Sequence, residues 1–275
     1  MSEPFTVFTG SFAEVYDRCL VPMDFAPYAR RLAERVSAVA PRRVLETAAG
    51  TGVVTRELVR ILPPEVSIIA TDLNQPMLEL AQSKLDDDRL RWRQADALNL
   101  PFADGEFDVV VCQFGVMFFP DKQKGFREAL RVLRPGGHFL FNVWDSFEAN
   151  SNGPLRMAAR VIGPVLGREP VSLLSPPYHD EPIIRSDLRA AGFADVQVER
   201  ESEPSRVASA REAAIIVCRG SALRAAIEAH DKGKLDEITD HVAASLRDRF
   251  GTGPVEGTTQ ALLVSAKRAN NEAGP

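Results

Sequence analysis

Residues 44–52 read Val-Leu-Glu-Thr-Ala-Ala-Gly-Thr-Gly, an apolar run that ends in a turn of small residues and then enters a helical pattern. Small residues let a backbone approach a ligand closely. A dinucleotide site uses the same device, so the turn alone is weakly specific. Two details depart from such a site. The third glycine of G-x-G-x-x-G would fall at Thr55, and Glu46 sets a carboxylate at the mouth of the turn. That charge repels a pyrophosphate and attracts a ligand that carries cationic groups. Acids recur after a second apolar run, as Asp72 followed by Leu73 and Met77, and after the strand-like segment 90–95, as Asp96 followed by Ala97. A further apolar run ends at Gln113 and Phe114.

The elements that must hold these residues follow from the patterning. Residues 43–46, 66–71, 90–95, 108–112 and 138–144 read as five strands, with helices predicted over 51–62, from Asn74, and over 123–133. The fourth strand, Asp-Val-Val-Val-Cys, is so continuously apolar that both of its faces must be covered, as in a parallel sheet. Strands alternating with helices this regularly predict βαβ units. Upstream, the Ser11 and Glu14 spacing opens a short helix to about residue 20, and a second runs from about 25 to Pro41. Downstream, one helix is predicted near 155–166, another over 183–191, a sixth strand at 196–199, helices over 209–250 and a last strand at 260–266.

The turn at 44–52 resembles motif I of the class I S-adenosylmethionine-dependent methyltransferases, and the later segments follow in that family's order. The resemblance is close over about 44–144; residues 107–121 and 130–137 are most similar to the ubiquinone/menaquinone branch, which acts on small molecules. It implies a Rossmann-like, seven-stranded, mostly parallel sheet with an antiparallel last strand, plus a helical cap. It implies S-adenosylmethionine as cofactor, S-adenosylhomocysteine as product and no metal. In the family's pattern Glu46, Thr47, Ala48, Gly50, Thr51 and Gly52 form the cofactor turn. Asp72 takes the ribose hydroxyls, Leu73 and Met77 lie against the adenine, and Asp96 and Ala97 meet its edge. Gln113 and Phe114 face the methionine moiety and the acceptor. Ala48 departs from the pattern, since many relatives carry glycine there.

Methyl transfer to an activated sulfonium draws mostly on positioning and desolvation. A base is needed only where the acceptor proton is not already acidic. Tyr16, on the helix that folds over the cofactor in relatives, and His179, ahead of the helix at 183–191, are the candidates. Tyr16 is also a candidate cofactor contact, and either residue could be structural. His138, inside the fifth strand, reads as packing.

The sequence divides into a helical lid at 1–41 and a methyltransferase domain at 42–275, with cap insertions at about 145–182 and 205–250. Apolar positions in the cap, namely Phe147, Met157, Ile162, Val165, Ile215 and Ile216, suggest a hydrophobic acceptor or the cap's own core. The chain has 275 residues, with 33 Lys+Arg against 38 Asp+Glu. That acidic balance argues against nucleic acid, which calls for a basic face. Ser175-Pro176-Pro177-Tyr178 spells the tetrapeptide with which amino-methylating DNA enzymes grip a flipped base, but it stands some sixty residues after the fourth strand and reads as a Pro-rich loop. No apolar run approaches the ~18 residues of a membrane span. Met1-Ser2-Glu3-Pro4 lacks a basic n-region, and three scattered cysteines suggest a reducing, cytoplasmic setting. Two rival readings remain open, a nicotinamide-dependent oxidoreductase and a catalytically silent S-adenosylmethionine-binding protein.

Overall fold

The computed structural model describes residues 11–270 except Ser175 and Ala222. The N-terminal tetrapeptide, the Ser11 side-chain cap and the last five residues lie outside the described part. The central sheet contains β1 (Arg43–Glu46), β2 (Ser67–Asp72), β3 (Leu90–Gln94), β4 (Phe107–Gln113), β5 (Leu133–Trp144), β6 (Phe193–Val207) and β7 (Val255–Arg268). Their order across the sheet is β3-β2-β1-β4-β5-β7-β6. β1 to β5 are parallel, and β7 runs antiparallel to both β5 and β6. The α/β sheet predicted from the sequence is therefore present, with its last strand reversed. All seven residues of β4 are buried, as its apolar run requires of a central parallel strand.

Helices α2 (Ala26–Ala38) and α3 (Val53–Ile61) cover one face. Their buried Ala29, Leu32, Val36, Val54 and Leu58 pack with Val44, Ile68, Val109 and Val111 of the strands. The opposite face holds α5 (Lys122–Val132) and α7 (Glu181–Ala191), where Phe126, Phe139, Phe141 and Phe193 interlock. A second apolar cluster is built by α6 (Pro154–Leu166), α8 (Ala210–Gly220), α9 (Leu223–His230) and α10 (Leu235–Phe250). Ser209 caps α8 by accepting the Glu212 N–H at 3.2 Å, as its spacing predicts.

Two expectations change. The two N-terminal helices are one continuous path, because α1 (Ser11–Val15) passes into a π-helical stretch at Tyr16–Phe25 and then into α2. Pro22 has no N–H to give an α-helical bond, and the wider winding lets Ala26 N–H reach back to Val21 O. The segment read as a lid then divides by burial. α2 is part of the sheet's core, with Tyr28 fully buried, while Tyr16–Phe25 lies between the sheet edge and the second cluster.

The sixth and seventh strands are also far longer than predicted, 15 and 14 residues, paired from Phe193↔Arg268 to Val207↔Val255 with one register shift between Ala194 and Gln197. Arg200, Glu201, Ser202 and Glu203 lie beyond the predicted strand at 196–199, and β7 supplies their backbone partners. Arg35 then pairs bidentately with Glu199 at 2.9 and 2.8 Å. Asn150 fastens the segment after β5 to β7, donating to Gln260 O at 2.9 Å and accepting Gln260 N–H at 2.8 Å.

Arg89 closes α3. Its guanidinium donates to the carbonyls of Val59 and Leu62 at 2.5 and 2.8 Å, acceptors that the helix end leaves open, and to that of Pro63 at 2.6 Å, which also accepts the Val66 N–H at 3.1 Å. Arg89→Ala is expected to cost about 1.5–3 kcal/mol in urea denaturation. Lysine should recover less than half of that loss, because one ammonium cannot serve three carbonyls in the fork geometry.

Candidate active site

The parallel strands end along one edge, and the turns that follow them face the same space. Leaving β1, the chain enters left-handed backbone at Ala48 (φ 52°), Gly50 (φ 56°) and Gly52 (φ 79°). Leaving β4, Phe114 is left-handed too (φ 50°), held there because its N–H meets both the carbonyl of Asn142, at 3.1 Å, and its side-chain oxygen, at 2.9 Å. Gly115 follows. A Cβ there would lie 2.5 Å from Ala48 Cβ and 2.7 Å from Cys112 Sγ, so the β1 and β4 turns touch where glycine leaves room. At Gly52 a Cβ would strike Trp92 at 2.8 Å.

Asp72 ties the edge together. One carboxylate oxygen accepts Gly50 N–H from the β1 turn at 2.8 Å, and the other accepts Asn74 N–H at 2.8 Å. Burial raises its carboxyl above the usual range, while these backbone N–H groups pull the other way. Glu46 lies deeper, almost wholly buried, with Oε2 accepting the Thr55 hydroxyl at 2.5 Å. The position where a dinucleotide motif would carry its third glycine thus holds a donor to this acid. Burial pushes Glu46 up to about 8, and the neighbouring Asp72 charge adds to the shift.

A cavity of about 610 Å³ opens over this edge. Among the residues singled out by sequence, Tyr16, Ala48, Asp72, Leu73, Met77, Asp96, Ala97, Gln113 and Phe114 line it. Glu46, Thr47, Gly50, Thr51 and Gly52 stand behind that wall as the body of the turn. Gln113 donates to Phe25 O at 3.2 Å, joining β4 to the N-terminal helix. Asp17 on that helix accepts from Lys84 at 2.5 Å and from Arg56 at 3.5 Å, so the Tyr16–Phe25 stretch is pinned beside the β1 turn and the end of helix α4 (Gln75–Gln82). Tyr16 is half-buried against Phe25, ring centroids 5.4 Å apart. Burial first, and then Asp72 and Asp17, keep its phenol protonated well above neutral pH, which suits a hydrogen-bond donor rather than a base.

His179 lies in a smaller adjoining cavity of about 130 Å³, which shares Met117, Trp144, Arg156, Leu174 and Pro176 with the larger one. His138 sits in β5, paired with Lys267 of β7. The apolar cap positions behave differently from the expectation of an acceptor lining. None of the six lines the larger cavity, and Met157, Ile162 and Ile216 form the cap's own core. Sequence reasoning missed the side chains that do form the apolar end: Leu20, Phe25, Met117, Phe118, Trp144, Leu155 and Leu174. Phe114 stacks on Trp144 at 3.9 Å. The aromatic residues were visible in the sequence, but their convergence from three separate segments was not.

Two measurements test this geometry. Because the folded Glu46 carboxyl titrates near 8 rather than at its ordinary 4.5, its neutral form favours the fold. That stability is complete below about pH 4.5 and is lost as pH rises through about 8. The melting temperature of the ligand-free protein should therefore fall from pH 5 to 9, and fall less in Glu46→Gln. Separately, Gly115→Ala should destabilise by about 1–3 kcal/mol through overpacking. Adding Ala48→Gly should restore part of it, since one of the two close contacts disappears; thermal melts of the single and double variants read this coupling.

Comparison with known proteins agrees with the geometry. A family profile described as a methyltransferase domain matches residues 45–141. The chain is 42% identical over 113 residues to the demethylmenaquinone methyltransferase of Deinococcus radiodurans, a match covering 40% of this chain and 46% of that protein. It is 33% identical over 179 residues to the demethylmenaquinone methyltransferase of Clavibacter sepedonicus, covering 59% of this chain and 69% of that one. The match thus spans less than half of the Deinococcus protein and just over two thirds of the Clavibacter one. The crystal structure of the YcgJ protein from Bacillus subtilis superposes with a TM-score of 0.57 at 18% identity, over 89% of this chain and all of that one, a likeness of fold. Sheet order, strand-end acids and these relatives together show that the chain belongs to the class I S-adenosylmethionine-dependent methyltransferases and resembles the ubiquinone and menaquinone C-methyltransferases.

Proposed function

We propose that the protein transfers a methyl group from S-adenosylmethionine to a small, largely apolar molecule. The observation that carries this reading is one continuous cavity with two chemically different ends. Asp72 and Asp96 stand over β2 and β3, and an aromatic, apolar chamber lies over β4 and β5. No described helix is long and apolar enough to cross a membrane. A cytoplasmic setting fits the three free thiols, and the acidic charge fits an absence of nucleic-acid substrates.

The residues fit the cofactor on their own chemistry. A Cβ at Gly50 would meet no protein atom within 4 Å, which leaves that side of the turn free for a ligand. Asp72 keeps lone pairs for ribose hydroxyls beyond its two backbone bonds, and Leu73 and Met77 offer apolar contact to a purine. Glu46, protonated in part at neutral pH by burial, gains a reason to ionise when an ammonium approaches. When bound, the cofactor supplies an electrophilic methyl on sulfur. This chain's residues position and desolvate: the Phe114–Trp144 stack forms the floor beside the methionine end, Gln113 fixes the N-terminal helix over it, and Tyr16–Phe25 with the helical cap keeps water out. Tyr16 donates a hydrogen bond within the closed site. His179, from its side chamber, would act on the acceptor only if cap movement joined the two cavities.

Calorimetry with S-adenosylhomocysteine and NAD tests the binding reading, and methyl transfer to any acceptor separates an enzyme from a silent binder. Micromolar binding of S-adenosylhomocysteine with none of NAD is expected. Asp72→Asn should weaken it by about 1.5–3 kcal/mol, the worth of hydrogen bonds to a charged group, with an unchanged far-ultraviolet spectrum. Affinity should also rise with pH up to about 8 in the native protein, and the rise should be absent in Glu46→Gln.

A further inference from the structure

Arg156 is the one basic side chain in the apolar chamber that makes no hydrogen bond among the described residues. It projects from the first turn of α6 and is 4% exposed. Its guanidinium lies over the Trp144 ring, 4.9 Å from the centroid. Its Nε and Nη1 are both buried with no hydrogen-bond partner. Lys122, the other cation in the wall, is engaged already, donating to the carbonyls of Phe119 and Met117 at 3.2 and 3.4 Å. No carboxylate among the described residues forms an ion pair with Arg156; Asp24 favours its charge electrostatically without a hydrogen bond, and has one oxygen on the Ser205 hydroxyl at 2.6 Å and the other unpartnered.

A buried guanidinium without a hydrogen-bonded anion is unfavourable, although burial lowers it only to about 10, so it stays cationic at neutral pH. Its retention on the wall of a ligand cavity makes sense where the anion arrives with the ligand. We infer that Arg156 receives a carboxylate carried by the methyl acceptor, so that the substrate class is an apolar or aromatic carboxylic acid. This rests on the methyltransferase reading above. A single planar fork suits one carboxylate bidentately, whereas a phosphate dianion calls for more donors than the chamber holds. The walls around it, with Phe25, Trp144, Leu155 and Leu174, fit an apolar body.

S-adenosylmethionine also carries a carboxylate, so position decides the source. Trp144 ends β5, and Asp72 ends β2. With β1 and β4 between them the two lie three strand spacings apart, about 14 Å. A cofactor with its ribose on Asp72 and its methionine at the β1 and β4 turns leaves Arg156 on the far side of the reacting methyl group.

The test uses the full chain with 1-naphthoate and its neutral isostere 1-naphthamide, titrated with and without S-adenosylhomocysteine. In the native protein naphthoate should bind at least tenfold more tightly than naphthamide. Arg156→Met should erase that preference, Arg156→Lys should keep part of it, and neither should change the affinity for S-adenosylhomocysteine. Equal binding of acid and amide, no saturable binding of the acid, or a preference that survives in a folded Arg156→Met would each overturn the inference. Loss of S-adenosylhomocysteine affinity in the variant would overturn it too, by assigning the arginine to the cofactor's carboxylate. A native protein that prefers naphthoate but ignores S-adenosylhomocysteine would instead sink the methyltransferase reading and leave the carboxylate site standing.

Discussion

The buried carboxylate of Asp72 organises the working edge of this protein. It stands at the end of β2, takes the Gly50 N–H from the β1 turn and the Asn74 N–H from its own turn, and so fixes the spacing between two strand exits. Left-handed backbone at Ala48, Gly50 and Gly52 is tolerable because such anchors over-determine it. The β1 turn then abuts Gly115, whose missing side chain sets how closely the β4 exit can approach. An acid suited to ribose hydroxyls is thus also a structural member, and the site's shape and its chemistry depend on the same few hydrogen bonds.

Charge around this edge is placed with its consequences in view. Glu46 is buried beneath the turn and shifted toward its neutral form by burial, against the opposing pull of the Thr55 hydroxyl and the Arg56 charge, which lowers the cost of keeping it there. Asp17 is the opposite case. Burial would raise its carboxyl, but the hydrogen bond from Lys84 and the charge of Arg56 hold it below the ordinary range, and the resulting pairs pin the N-terminal helix beside the cofactor turn. Arg156 is the third case, a buried cation on the apolar side for which the described residues supply no hydrogen-bond partner. Taken together, acids gather at one end of the cavity and an unpaired cation sits at the other.

The cap and the sheet are joined less by one interface than by shared strands. β6 and β7 run past the rest of the sheet and carry the helices α8 to α10 between them, so the second apolar cluster includes Val207 and Val255 at their tips. The π-helical stretch contributes Leu20 and Met23 to the same cluster and Tyr16, Leu20 and Phe25 to the cavity wall. Movement of the cap would therefore reach the cavity through this stretch, while α2, locked by Tyr28 against Phe114 and Trp144, stays with the sheet.

The sequence by itself determined whatever depends on local pattern. Continuous apolar runs marked the parallel strands, capping residues marked the helices, and the small-residue turn after Leu45 with acids at 72 and 96 marked the cofactor edge, because strand period, helix period and turn chemistry act over a few residues. Tertiary structure decided the rest. The outer halves of β6 and β7 are polar and become strands only because each supplies the other's backbone partners. The helix runs through Pro22 because packing on both sides holds a wider winding in place. Nothing in the local sequence singles out Arg156, and only the fold turns it onto Trp144 and into the cavity. Burial and long-range convergence are properties of the assembled chain, and no short stretch of sequence carries them.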